Sequence, residues 1–197
     1  MTNVLKGTMW GGRFERPPNE LFYEFQRSFP FDRCLLPYQL AVDRAWTRAL
    51  ERARVITADE ARKLFEALDQ IGDRAQTEPE WLDASDAEDV HHFLERAVTE
   101  KLGPLGHKLH TGRSRNELVV TEFRMYVKDA VAQMRAAVAA LIRALVAQAE
   151  RHMGLPMPGH THLQRAQPIL YSHFLMAHAE GFFHDLDRLA AAAYTSD

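Results

Sequence analysis

Two short segments hold most of the side chains in this sequence that could do chemistry. The first, Gly159 to Pro168, reads Gly-His-Thr-His-Leu-Gln-Arg-Ala-Gln-Pro and lies between two long stretches of helical apolar periodicity. Histidine is the natural acid or base near neutral pH, so His160 and His162 are candidates for moving a proton. Thr161 and Gln164 beside them can orient a carboxylate or amide by hydrogen bonding. The second segment, His110-Thr111-Gly112-Arg113-Ser114-Arg115-Asn116, stands just before a long helix. A helix N-terminus offers free N–H groups and partial positive charge, which favour an anion. Gly112 permits close backbone approach. Arg113 and Arg115 can fork around a carboxylate, and Ser114 and Asn116 can add directional bonds. A proton-transfer station and an anion cradle suit an enzyme acting on a small, negatively charged substrate.

Each assignment has a plainer alternative. The 110–116 segment also fits an ordinary capped helix start with solvent-facing arginines, and His162 also fits a packed or surface side chain. A zinc site on His160 and His162 lacks a nearby third ligand, and the chain has one cysteine, so no metal is expected. His91 and His92 follow Glu88-Asp89, acids that could raise a histidine pKa. That group fits better a solvated first helical turn with acids at its positive end. Ser28 fits a cap or loop hydroxyl. No phosphate loop, dinucleotide fingerprint or serine-nucleophile elbow occurs.

The chain has 197 residues, 46% hydrophobic and 26% charged, enough for a sizeable core. A net charge of −3 without a basic run gives no nucleic-acid footprint. No unbroken apolar run reaches the roughly 18 residues of a membrane span, and the N-terminus lacks a secretion-signal core. The single cysteine, Cys34, excludes an internal disulfide and fits a reducing compartment, so a cytoplasmic protein is expected.

The elements that must position these segments are helical. Residues 1–33 read as an extended arm, rich in Gly, Pro and aromatics from residue 7 onward. A helix then starts near Leu36 or Pro37 and runs toward Val55. Thr57 and Glu60 form a capping box that opens a helix stopping near Gly72. A polar connector over 73–85 leads to a second expected capping box, Ser85 to Glu88, and a helix ending at Gly103-Pro104. From Arg115 to Met153 there is neither Gly nor Pro, and Phe123, Val127, Val131, Met134, Val138, Leu141, Leu145 and Ala149 form a bundle-like stripe. Pro168 is expected in the first turn of another long helix, reaching about Ala193, with Leu175, Phe182, Leu186 and Leu189 inward. No strand pattern stands out. The fold class is therefore all-α. A small helical N-terminal domain over 1–112 precedes the first two long helices of a bundle over 113–197. Two such helices bury too little surface to be stable alone, so either the chain oligomerises or it is part of a longer one.

Met9 to Phe14 (Met-Trp-Gly-Gly-Arg-Phe), Ser28 to Arg33, His110 to Asn116 and Gly159 to Pro168 together resemble, in order, the landmarks of the argininosuccinate lyase family. That family lies within the fumarase/aspartase superfamily and is related to the delta-crystallins. The resemblance implies reversible β-elimination of argininosuccinate to arginine and fumarate, the last step of arginine biosynthesis and a step of the urea cycle, with no cofactor and no metal. It implies that Ser28, Arg115, Asn116 and Thr161 bind substrate. His162 becomes the catalytic histidine, with Thr161 beside it. Ser114 and Gln164 join the substrate-binding set, and His91 and Arg113 are secondary candidates. It also implies a cytoplasmic homotetramer whose active site draws on three subunits. Glu117-Leu118 stands where Asp-Gln is more usual, and His160 where Tyr is common. Family members are more than twice this length, so the chain is expected to be an N-terminal portion, lacking a mobile serine loop and inactive alone. A non-catalytic structural protein on the same scaffold, or a sister lyase releasing fumarate from another adduct, are the competing expectations.

Overall fold

The computed structural model describes residues 19–197. Met9 to Phe14 and most of the expected arm lie outside the described residues. The chain divides into two compact units, one ending at Phe123 and one beginning at Arg124.

The first unit is a helical layer structure. Its elements are α1 (Glu20–Gln26), α2 (Phe29–Asp32), α3 (Leu36–Arg52), α4 (Ala58–Thr77), α5 (Pro79–Asp83), α6 (Val90–Leu102), α7 (Pro104–His107) and the start of α8 (Arg115–Arg151). Single 3-10 turns at Arg33–Leu35 and Lys108–His110 connect them. Residues 20–26 and 29–35 are thus helical rather than extended. Phe29 explains why: it is buried and stacks on Phe93 with ring centroids 5.1 Å apart, which requires the chain to turn inward there.

The Thr57–Glu60 capping box forms as expected, with Glu60 N–H donating to Thr57 Oγ1 and Thr57 N–H to Glu60 Oε2. Its helix buries Ala61, Leu64, Leu68 and Ile71, three or four residues apart and so on one face. Burial of each large member contributes about 1.5–3 kcal/mol. The helix does not stop at Gly72 but runs to Thr77, and α5 occupies much of the expected connector. A lone glycine costs a helix only about 1 kcal/mol, which the packed face of α4 outweighs.

The expected box at Ser85–Glu88 is not a helix start. Asp89 caps α6 instead, its Oδ1 accepting from His92 N–H at 2.8 Å. Residues 85–88 stay irregular because α1 and α2 use their carbonyls. Arg27 donates to Ser85 and Ala87, Tyr23 donates to Asp86, and the backbone N–H groups of Ser28 and Phe29 donate to Glu88.

The second unit pairs the remainder of α8 with α9 (Tyr171–Thr195) across a β-hairpin. Arg124 and Lys128 reach the C-terminal end of α9 at Ser196 and Asp197. Val131, Ile142, Ala149, Leu175 and Ala179 are its buried apolar residues. Phe123, Met134 and Leu141 of the expected α8 stripe are exposed, as are Phe174, Met176 and Phe183. An 18-residue window of α8 has mean hydropathy 1.6, so by length and composition this helix is apolar enough to cross a bilayer, although no unbroken apolar run marks it. Arg135 and Arg143 interrupt the stretch.

The hairpin was not foreseen. Strands β1 (Pro156–Thr161) and β2 (Gln164–Leu170) pair antiparallel, and Pro168 lies opposite Pro158 in a strand rather than opening a helix. Proline lacks the N–H that a ladder needs, yet a two-stranded ribbon has only edge strands, where it is tolerated. The register shifts between Pro158 and His160. A Cβ on Gly159 would stand 2.9 Å from Gln167 O, so the irregularity needs glycine.

Candidate active site

Two groups of the sequence-identified residues emerge, one in each unit. In the first, Ser28, His91 and Arg115 converge on the N-terminus of α6. Ser28 Oγ donates to Asp32 Oδ2 at 2.5 Å, and Asp32 Oδ1 accepts from Val90 N–H at 3.1 Å. Burial raises the Asp32 carboxyl above its ordinary range, with the Ser28 hydrogen bond opposing the shift. Asp89, already the α6 cap, also receives the Arg115 guanidinium on both carboxylate oxygens. Ser28, Asp32, Asp89 and Arg115 therefore form one chain of polar contacts around a single helix start.

Gly112 adopts φ +70°, a conformation costly for other residues, and turns the chain into α8. There Ser114 is engaged with its own helix. Its Oγ accepts from Asn116 N–H at 3.2 Å, and its N–H donates to Glu117 Oε1 at 3.2 Å. This is the reciprocal pattern of a capping box, so Ser114 satisfies a first-turn donor that an anion would otherwise take. Ser114 and Asn116 remain exposed, and Arg115 half-buried.

Arg113 does not face solvent. Its side chain is 3% exposed and donates to Asp43 Oδ1 at 2.6 Å, with the guanidinium 5.8 Å from the Trp46 ring. Burial raises the Asp43 carboxyl, and Arg113 pulls it back. An arginine so committed ties α3 to the loop before α8.

His91 is buried as well, not the solvated first-turn residue that the sequence suggested. Its Nε2 lies 3.0 Å from Oε1 of Glu122, which is completely buried. Burial lowers His91 to about 4, against the opposing pull of Asp89, with Arg115, Arg113 and His110 adding to the fall. The acids beside it therefore do not raise it. Burial in turn raises Glu122 to about 8, assisted by Asp43, Asp32 and Asp89 and opposed by Arg113.

The second group is Thr161, His162 and Gln164. Thr161 pairs with Gln164 across the hairpin, and His162 and Leu163 form its two-residue turn with φ +50° and +62°. Positive φ at both turn residues matches the twist of the flanking strands. All four residues are exposed, so the turn presents the imidazole to solvent on a stiff ribbon.

Sequence reasoning missed Asp32, Asp43 and Glu122, and named Asp89 only as a neighbour of the histidines. Signals existed for two of them. Ser28 and Asp32 stand four apart, and Glu122 stands seven after Arg115, on the α8 face that buries Leu118. Among the described residues, no three His, Cys, Asp or Glu side chains are grouped to hold a metal ion.

The family model described as Lyase matches residues 12–196, and the chain belongs to that family. It is similar to the argininosuccinate lyase of Alteromonas mediterranea, 45% identical over 183 residues, which cover 92% of this chain and 39% of that protein. The argininosuccinate lyase of Acidothermus cellulolyticus is 46% identical over 180 residues, covering 91% and 37%. The chain thus spans about two fifths of the length of these relatives. Among solved structures, an EDDS lyase variant with bound fumarate is 29% identical with TM-score 0.65, covering 80% of this chain and 30% of that one. A fumarate lyase:delta crystallin from Brucella melitensis, 18% identical with TM-score 0.68, shares the fold and covers 87% of this chain and 44% of that one.

Proposed function

We propose that this chain carries part of the active site of an argininosuccinate lyase. The observation that supports this most is 45–46% identity to two such enzymes along nearly its whole length, including both polar segments. Argininosuccinate is favoured over another fumarate adduct because the EDDS lyase variant is only 29% identical.

In this reading a base takes a proton from the carbon next to a substrate carboxylate, and the electron pair forms the fumarate double bond as the C–N bond breaks. An acid returns a proton to the departing guanidinium nitrogen, giving arginine. His162 is the proton-handling histidine of this chain, held outward by the hairpin turn. Thr161 and Gln164 flank it as hydrogen-bonding partners for a substrate carboxylate. Ser28, Ser114, Arg115 and Asn116 supply the anion-binding side, where Arg115 exchanges part of its contact with Asp89 for substrate. His91 and Arg113 support that side from within the core. The working enzyme is a cytoplasmic homotetramer in arginine biosynthesis, and the exposed apolar residues of α8 and α9 favour its assembly.

A chimera tests the reading: this chain replaces the matching segment of the Alteromonas mediterranea enzyme. Fumarate release from argininosuccinate is expected, and His162→Asn in the chimera is expected to lower turnover by about 10²–10⁴-fold. A folded chimera that is inactive on argininosuccinate, or a His162→Asn variant of unchanged rate, refutes it. The 197-residue chain alone is expected to release little or no fumarate.

A further inference from the structure

The first unit buries a histidine and a glutamate against each other, and neither handles a proton in the proposed elimination. Oε1 of Glu122 and Nε2 of His91 approach to 3.0 Å, with side chains 0% and 7% exposed. The contact lacks the alignment of a formed hydrogen bond, and His91 Nδ1 and both Glu122 oxygens have no hydrogen-bond partner. An ionised carboxylate left this way would carry a heavy desolvation cost, whereas a carboxylic acid can meet the imidazole with a small rotation. The charged groups around the pair agree. Asp32 from α2, Asp43 from α3 and Asp89 from α6 all act against a further negative charge on Glu122, and Arg113 opposes them. On the imidazole side, Arg115, Arg113 and His110 act against a positive charge, and Asp89 favours one.

We propose that Glu122 is a proton-carrying positioning residue: its carboxylic acid donates to Nε2 of His91, holds the ring as its Nδ1–H tautomer, and so secures the α6 start whose Asp89 grips Arg115. Glu122 and Arg115 lie two turns apart on α8, and His91 and Asp89 two residues apart at the α6 start. The two contacts are therefore successive rungs between the same pair of helices. One rung is half-exposed and charged. The other is buried and neutral. When Glu122 loses its proton, the carboxylate becomes the acceptor and the ring must shift its own proton to Nε2. The same geometry therefore makes a tautomer switch. The substrate role of Arg115 rests on the lyase reading; the state of the pair does not.

Nitrogen NMR of the chain labelled with 15N-histidine tests this directly, with His91→Gln assigning the signal. At pH 6.5 the His91 ring is expected neutral with its proton on Nδ1, moving to Nε2 as the pH passes about 8. Glu122→Gln keeps a donor facing Nε2, so the ring is expected to stay Nδ1–H throughout. Hydrogen exchange of the His92 amide, which Asp89 caps, reads the positioning role. Glu122→Leu is expected to speed it about tenfold and Glu122→Gln to leave it near the parent value. An Nε2–H or doubly protonated ring at pH 6.5, a switch that persists in Glu122→Gln, or equal exchange in all three proteins overturns the proposal. Because no readout is enzymatic, a failed chimera and a failed pair are separate results.

Discussion

Arg115, in the first turn of α8, lays its guanidinium on the carboxylate of Asp89, the residue that caps α6. One side chain thus terminates a helix and anchors the cation proposed to meet substrate. Such a contact can be lent to a ligand without leaving the helix uncapped, because His92 N–H stays on Asp89 Oδ1. Two residues of one carboxylate–guanidinium pair thereby link local folding to the anion side of the site.

The two functions of Asp89 separate by substitution. Asn caps a helix about as well as Asp, whereas Ala does not. Asp89→Asn should lower the stability of the chain by up to about 1 kcal/mol, the worth of a partly exposed ion pair. Asp89→Ala should cost about 1 kcal/mol more, from the lost cap. Urea unfolding followed by far-UV circular dichroism distinguishes them. Equal losses for the two variants would mean that the cap contributes nothing.

The Asp43–Arg113 pair behaves differently because both side chains are nearly sealed. Removing one partner leaves an uncompensated charge, which costs about 3–5 kcal/mol, while replacing both by apolar groups of similar size is near neutral. Asp43→Leu alone is therefore expected to destabilise strongly, and Asp43→Leu with Arg113→Met to recover most of the loss. Trp46 fluorescence reports the change, since Arg113 lies over its ring. A double variant no more stable than the single one would show that the pair itself is favourable.

Helices that pack through spaced apolar residues were legible in the sequence. The Thr57 capping box, the α4 face and the long α8 follow from periods that any solvent-facing helix must obey. The hairpin at 156–170 was not legible, because its strands are mostly exposed, with only Met157, Gly159 and Ile169 half-buried, and its residue types carry no apolar alternation to read. The cap of α6 was misread by four residues. Ser85 and Glu88 match the local pattern, but contacts from Arg27, Tyr23 and Ser28, 58 to 63 residues away, decide where the helix begins. Of the candidate site, the chemistry-bearing segments were visible as residue types. The partners that fix their state were not. Asp43 sits in a helix that reads as ordinary amphipathic surface, and the spacing that places Glu122 on the inward face of α8 does not say that it meets His91.

The hairpin turn offers a test of how firmly His162 is presented. Leu163 is almost wholly exposed and adopts φ +62°, a conformation that costs a non-glycine residue roughly 1 kcal/mol. Leu163→Gly removes that strain without removing a buried contact, and Asn tolerates the conformation better than Leu. Both should leave the cross-strand nuclear Overhauser contacts between Thr161 and Gln164 intact. Leu163→Pro, locked near φ −65°, should abolish them. Survival of the contacts in the proline variant would exclude the turn observed here.

The Glu122–His91 pair should shape the pH profile of stability, and the sign follows from the two opposite shifts. Glu122 rises from an ordinary 4.5 to about 8, so its stabilising contribution is complete below 4.5 and is lost as pH climbs toward 8. His91 falls from 6.5 to about 4, so its contribution is complete above 6.5 and is lost as pH drops toward 4. Between 4.5 and 6.5 the folded chain holds one proton on Glu122 and the unfolded chain holds one on His91. Their effects cancel, and the pair contributes no slope. Stability should therefore fall between pH 6.5 and 8, with the pair adding a loss of up to about 1.4 kcal/mol per pH unit. Glu122→Gln carries no ionisable proton, so it should flatten that limb and, with the cancellation gone, extend the acid limb of His91 up to pH 6.5. Urea midpoints across this range measure both limbs, and an alkaline limb unchanged by Glu122→Gln would assign it to another group.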